Sequence, residues 1–205
     1  MRNFLGLYAL AIFFAAPALA WEHWGGDRGG TRFSPLAMIT PANVGNLVKA
    51  WQFRTGDLDT RAPEAMARTK FQATPLFVEN SVIFCSPFNE VIALDPGTGA
   101  QKWRFDPKIS TAQRPANRYN CRGVAYWVDE QAAESAPCRS RIITNTNDAR
   151  VIALDARTGT PCADFGTDGQ TKLEINRAVA TPGEFQVTSA PLVSRGVIVV
   201  GSAIA

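Results

Sequence analysis

The sequence predicts an all-β chain, part of a β-propeller of four-stranded blades, with the 205 residues supplying about two and a half blades. Three observations carry this. Val91-Ile92-Ala93-Leu94-Asp95-Pro96-Gly97-Thr98-Gly99 returns sixty residues later as Val151-Ile152-Ala153-Leu154-Asp155-Ala156-Arg157-Thr158-Gly159, within the roughly 40–60-residue period of blade repeats. Ala73-Thr74-Pro75-Leu76 is matched by Ser189-Ala190-Pro191-Leu192, and each is followed by an apolar strand ending on serine, Ser86 and Ser202. Between these marks, short apolar runs alternate with Gly, Pro, Asn and Asp at hairpin spacing, the punctuation of a meander.

Taken in order, the chain opens on Arg2, an apolar run over residues 4–16 and the small-x-small signal Ala18-Leu19-Ala20. This reads as a cleavable signal peptide over residues 1–20. The run is shorter than the roughly 20 residues that span a bilayer, and Pro17 interrupts it. The mature chain is expected to begin at Trp21, in the periplasm. The glycine-rich stretch around Gly25 predicts a loop that approaches other backbone closely. Thr40 before Pro41 predicts an N-cap and a short helical turn.

Strands are expected over 48–54, then 73–78, 82–86, 91–95 and 102–105 as a first blade. A second blade reads 123–127, 141–146, 151–155 and a weaker fourth strand near 171–175; a third begins with 186–193 and 197–202. Trp51 and Trp103 stand in similar settings, Trp-Gln-Phe-Arg and Trp-Arg-Phe-Asp, and are expected to pack between blades. Residues 21–205 are thus one propeller unit, stopping two strands into the third blade.

Composition narrows the chemistry. Net charge is +3, from 21 basic and 18 acidic residues, with no basic run to mark a nucleic-acid partner. His23 is the single histidine, so no Ser-His-Asp or Cys-His catalytic set can form in the β region. Without a CxxC pair, zinc has no site. The four cysteines, exported to an oxidising space, can pair in three ways. Cys121 with Cys138 is favoured, because a crosslink there would tether the polar, alanine-rich loop between them. A bound organic cofactor is then the remaining route to chemistry. Arg122, at the start of an apolar strand, is costly there unless an anion meets it.

Several blocks, in order, resemble the quinoprotein dehydrogenases that use pyrroloquinoline quinone (PQQ), particularly their glucose and polyol branch. They are Trp24-Gly25-Gly26-Asp27, Arg32-Phe33-Ser34-Pro35-Leu36, Ala50-Trp51-Gln52-Phe53-Arg54, Phe71-Gln72-Ala73-Thr74-Pro75-Leu76, Cys121-Arg122-Gly123-Val124-Ala125-Tyr126-Trp127 and Asp148-Ala149-Arg150-Val151-Ile152. The resemblance implies an eight-bladed propeller with PQQ near its axis and a calcium ion beside it. It implies that Arg122 binds a cofactor carboxylate, that Gln72 is a polar cofactor-binding residue, and that Thr146 (or Asn145, one register earlier) and Ser202 hydrogen-bond the quinone's edge.

In such enzymes calcium polarises the quinone carbonyl, an aspartate takes the substrate hydroxyl proton, and hydride passes to the quinone; ubiquinone or a cytochrome then accepts the electrons. The metal ligands and the base are expected beyond Ala205, so no catalytic or metal-binding residue is assigned in this stretch. Two departures matter. Asn120 stands where the alcohol-oxidising branch has the first of two adjacent cysteines, and the chain lacks the several amino-terminal spanning helices of membrane glucose dehydrogenases. Both favour a soluble or peripherally attached enzyme oxidising a sugar or polyol. The alternatives are a non-catalytic propeller scaffold of the outer-membrane assembly type, for which Arg122 has no purpose, and a degenerate gene fragment that binds no cofactor.

Overall fold

The computed structural model of the chain describes residues 20–112, 114–174 and 183–204. The leader expected over 1–20 lies outside the described residues except for Ala20. No helix among the described residues is long and apolar enough to cross a membrane.

A 3-10 turn, Val44–Asn46, and two one-turn helices, α1 (Asp57–Thr60) and α2 (Pro63–Met66), precede the strands. These are β1 (Thr69–Phe71), β2 (Leu76–Val78), β3 (Ser81–Cys85), β4 (Val91–Leu94), β5 (Gln101–Phe105), β6 (Tyr119–Cys121), β7 (Ala125–Val128), β8 (Ser140–Asn145), β9 (Arg150–Asp155), β10 (Gln170–Lys172), β11 (Phe185–Val187), β12 (Leu192–Ser194), β13 (Val197–Val199) and β14 (Ser202–Ile204). Antiparallel sheets in the orders β2-β3-β4-β5 and β10-β9-β8-β7 form two blades, and the hairpin β12-β13 begins a third.

The repeated apolar run is continuous because both faces of a blade are covered. Within it, alternation decides which neighbour each residue meets. Val91 and Ala93 of β4 pack with Ile152 and Leu154 of β9, joining the two blades. Ile92 and Leu94 turn the other way, toward Trp51 and Phe53. In β9, Val151 and Ala153 face Val193 and Ile198 of the third hairpin. Each repeat therefore offers its Ile/Leu face backward and its Val/Ala face forward.

The turn after each run is built the same way. Asp95 Oδ1 accepts the Gly97 and Thr98 N–H groups at 3.0 and 2.8 Å, and Asp155 Oδ1 accepts those of Arg157 and Thr158 at 2.9 and 3.0 Å. Gly99 (φ +73°) and Gly159 (φ +74°) close the turns, and a tryptophan from earlier in the chain lies on each, Trp51 from a loop and Trp103 from the preceding blade. A Cβ would come within 2.6 Å of the Trp51 ring at Gly99 and 2.5 Å of the Trp103 ring at Gly159. Trp103 thus packs between two blades as expected, and Trp51 packs against the first, each on a glycine that cannot carry a side chain.

Several expectations are corrected. Residues 48–54 form no strand among the described residues: a strand requires a hydrogen-bonded backbone partner, and the segment is tied to the blade by the Trp51 indole, which donates to Pro96 O at 3.0 Å. The run 186–193 is broken: β11 pairs with β14 and β12 with β13, the interruption falling at Pro191, which has no N–H to give a ladder. The helical turn starts at Val44 rather than beside Pro41, with Asn43 in place of Thr40 at its N-cap position and no side-chain cap bond; the Asn43 carboxamide oxygen instead accepts Thr40 N at 2.7 Å.

The cysteine pairing is also corrected: the bridges are Cys85–Cys121 and Cys138–Cys162. Cys121 ends β6 beside Cys85 at the end of β3. β7 then carries the chain one strand length, about 13 Å, before Cys138, which puts Cys121 and Cys138 at opposite ends of a blade.

Candidate functional site

Two short sheets outside the blades position the candidate site. β1 and β6 run parallel, Phe71 opposite Cys121, so the chain leaves them at Gln72 and Arg122 side by side. β11 and β14 are antiparallel, Val187 opposite Ser202, and the chain leaves β11 at Thr188. These exits converge on a recess of about 640 Å³ whose walls include Gln72, Asn120, Arg122, Thr188 and Ser202. Lys70 and Arg118 add positive charge, and no carboxylate lines it among the described residues.

Arg122 is exposed between two buried neighbours, Cys121 and Gly123. Its backbone is anchored: the carbonyl accepts Trp24 Nε1 and Thr74 N, each at 3.0 Å. Its guanidinium donates to Thr188 Oγ1 at 2.7 Å. No carboxylate meets it, so its cation is presented to the recess with most donors unspent. Trp24 itself packs on Gly123, where a Cβ would come within 2.9 Å of the indole, and Arg32 stacks on its far side 4.4 Å from the ring centroid. The glycine-rich opening is what admits this approach: a Cβ on Gly25 would overlap Gly30 Cα at 2.4 Å.

Gln72 Oε1 accepts Asn120 Nδ2 at 2.7 Å. The other end of the Asn120 amide is buried with no partner, as is Asn145 Oδ1. Buried acceptors of this kind cost stability unless something meets them. Gln186, fully buried, ties the walls together: Nε2 donates to Arg118 O at 2.7 Å and to Asn147 Oδ1 at 2.9 Å, while Oε1 accepts Asn117 N at 3.2 Å.

Of the four residues singled out in the sequence, Gln72, Arg122 and Ser202 line this recess and Thr146 does not. Thr146 is buried in the β8–β9 turn, its hydroxyl donating to Asp148 and accepting Arg150 N at 3.1 Å. Asn145, one position earlier, is buried and does not line the recess either, its Nδ2 donating to Val187 O at 3.3 Å. Thr188 was missed, although a signal existed: the self-match of Ala73-Thr74-Pro75-Leu76 with Ser189-Ala190-Pro191-Leu192 puts Thr188 at the blade position of Gln72.

The recess can hold a planar polycarboxylate, since it is cationic, free of carboxylates and fringed with hydroxyl and amide groups. The described residues do not make a calcium site there, because that hard cation needs several oxygen ligands with carboxylates among them. The one metal-like grouping among the described residues, Cys138, Cys162 and Asp164, has its two sulfurs joined to each other. Among the described residues neither a histidine nor a carboxylate lines the recess, so those residues can bind a ligand but offer no group to take a proton at neutral pH.

Residues 21–205 match the family model described as "PQQ: Glucose/ethanol/alcohol dehydrogenase, beta-propeller domain". Quinoprotein glucose dehydrogenase A of Acinetobacter calcoaceticus is 34% identical over 93% of the chain and 25% of its own length. Quinate/shikimate dehydrogenase (quinone) of Acinetobacter baylyi is 39% identical over 90% of the chain and 24% of its length. Among solved structures, quinohemoprotein alcohol dehydrogenase from Comamonas testosteroni superposes with a TM-score of 0.67 at 27% identity, over 92% of this chain and 24% of that one. The chain therefore spans about a quarter of the length of these relatives.

Proposed function

The chain belongs to the PQQ-dependent quinoprotein dehydrogenase family, and from that premise we propose that this stretch supplies a cofactor-binding wall to a periplasmic enzyme oxidising a sugar or polyol. The observation that carries the reading is the cationic, carboxylate-free recess where Gln72, Arg122 and Ser202 meet. PQQ, once bound, accepts a hydride from the substrate's alcohol carbon. The chain's own residues bind and orient it. Arg122, held by Trp24 and Thr74 behind and Thr188 in front, offers a planar fork to a carboxylate. Lys70 adds a point charge, while Ser202 and the Gln72–Asn120 pair set the hydrogen-bonding edge.

The proton acceptor, the calcium ligands and the contacts to ubiquinone or a cytochrome are assigned to the remainder of a full-length enzyme, and the stretch alone is expected to be inactive. Export follows from residues 1–20. A bare blade scaffold gives no reason to gather Lys70, Arg118 and Arg122 around one recess.

The test is reconstitution of the full-length protein with PQQ and calcium, following PQQ affinity by equilibrium binding and turnover by reduction of an artificial electron acceptor with aldoses and polyols. Arg122→Ala should weaken PQQ binding about 10- to 100-fold, the worth of a charged hydrogen-bonded pair. Unchanged affinity would remove Arg122 from the cofactor site.

A further inference from the structure

Beside the first recess lies a second, of about 480 Å³, sharing Asn117 and Arg118 with it. Its walls bring together Arg68, Arg114 and Arg118 against a single carboxylate, Glu64. Four other arginines are paired: Arg61 and Arg104 with buried Glu90, Arg141 with Asp164 and Arg150 with Asp148. Among the described residues, none of these three arginines makes an ion pair, and neither does Glu64. The one side-chain hydrogen bond given to them is a long one, Arg118 Nη1 to Ala67 O at 3.4 Å.

Their backbones, in contrast, are pinned. Arg68 O accepts Tyr119 N at 2.9 Å and Arg118 O accepts Gln186 Nε2 at 2.7 Å. Arg114 O lies where a Cβ on Gly183 would meet it at 2.4 Å, and Ala116 N donates to Gly183 O at 2.9 Å. Three fixed stems thus carry unspent guanidinium heads toward one space, adjoining the recess assigned to the cofactor. Like charges gathered so closely repel, and an anion is what relieves them.

We propose that this second recess is the carboxylate subsite of the substrate, and that the enzyme oxidises polyhydroxy carboxylic acids in preference to neutral sugars. The inference rests on the dehydrogenase reading above and narrows its substrate class. The acid's carboxylate sits among Arg68, Arg114 and Arg118 while its carbinol reaches the adjoining recess. The reaction is unaltered: the secondary alcohol gives a hydride to the quinone cofactor and a proton to the base, leaving the ketone.

The experiment compares quinate with its methyl ester, and gluconate with sorbitol, on the full-length enzyme loaded with PQQ and calcium. Each pair differs in little besides the charge. The acid of at least one pair should exceed its neutral partner in kcat/KM by about 10- to 100-fold, as one charge-assisted contact provides, and added salt should erode the difference. Arg68→Gln and Arg114→Gln should move that ratio toward one, chiefly through KM. Calorimetry should show the acid's affinity falling in the same variants, without reference to turnover, while PQQ affinity stays as in the wild type. Ratios of one or below in both pairs, with neutral polyols turned over, overturn the inference and leave the dehydrogenase reading standing. PQQ affinity lost in Arg68→Gln or Arg114→Gln makes the recess part of the cofactor site and overturns it equally. A protein that binds no PQQ and oxidises none of the four removes both readings.

Discussion

Asp155 shows how one side chain both shapes a turn and responds to pH. Burial, the largest single influence on its carboxyl, pushes its pKa up; the N–H groups of Cys138, Arg157 and Thr158 and the Thr158 hydroxyl together outweigh it and hold the pKa below the ordinary carboxylate value. A depressed pKa stabilises the fold above the unfolded value, about 3.9, and that contribution is lost as pH falls through the folded one. Asp57 has the opposite sign: burial raises it, against its Thr55 hydrogen bond, so its share is present below the unfolded value and disappears as pH rises through the folded one. Asp155→Ala should cost about 2–4 kcal/mol at pH 7, and its urea midpoint should fall less steeply than the wild type's between pH 5 and 3. Parallel slopes would refute the assignment. At this scale Asp155 was legible as part of a repeat, and Gln72, Arg122 and Ser202 through the blocks that carry the family resemblance. Asn117 was not, because an amide residue in a loop carries no pattern until tertiary packing gathers it, and Thr188 was marked only by its place opposite Gln72 in the self-match. Thr146 and the alternative Asn145 both lie outside the recess lining, and residue type alone does not decide between adjacent registers.

The blade is the element on which the repeat acts. β4 and β9 were readable because a run of four apolar residues between turn signals has few other places to go. β1 and β6 were not, being three-residue strands paired across fifty residues, Thr69 with Tyr119, without a local signature. One-turn helices such as α1 and α2 fall below the length at which periodicity exists. The turn glycines give this scale its prediction. Gly159 and Gly196 both have positive φ, +74° and +76°, but a Cβ at Gly159 strikes Trp103 while one at Gly196 meets nothing within 4 Å. Gly196→Ala should therefore cost about 1 kcal/mol for backbone strain, and Gly159→Ala about 3–5 kcal/mol once the tryptophan is also displaced. Equal losses in chemical denaturation would mean that Trp103 contributes nothing through its seat on Gly159.

Across the whole molecule, the two disulfides divide stability from binding. Each closes a loop, with sequence separations of 36 and 24 residues, and loop-closure entropy gives each about 3–4 kcal/mol. Their places differ. Cys138–Cys162 fastens loops around the second blade and touches no recess wall. Cys85–Cys121 joins the first blade to β6 immediately before Arg122, and immediately after Asn120, whose amide holds Gln72. It therefore sets the span between two cofactor-facing positions as well as restraining the unfolded chain. The paired variant Cys138→Ala/Cys162→Ala should unfold more easily yet keep wild-type PQQ affinity in the full-length protein. Cys85→Ala/Cys121→Ala should lose comparable stability and in addition bind PQQ about tenfold more weakly, since even a small displacement of a positioned charge degrades a directional contact. Measuring both pairs at a temperature where each is fully folded separates the effects: equal PQQ affinities there would reduce Cys85–Cys121 to a staple, and the position of Arg122 would then depend on Trp24, Thr74 and Thr188 alone.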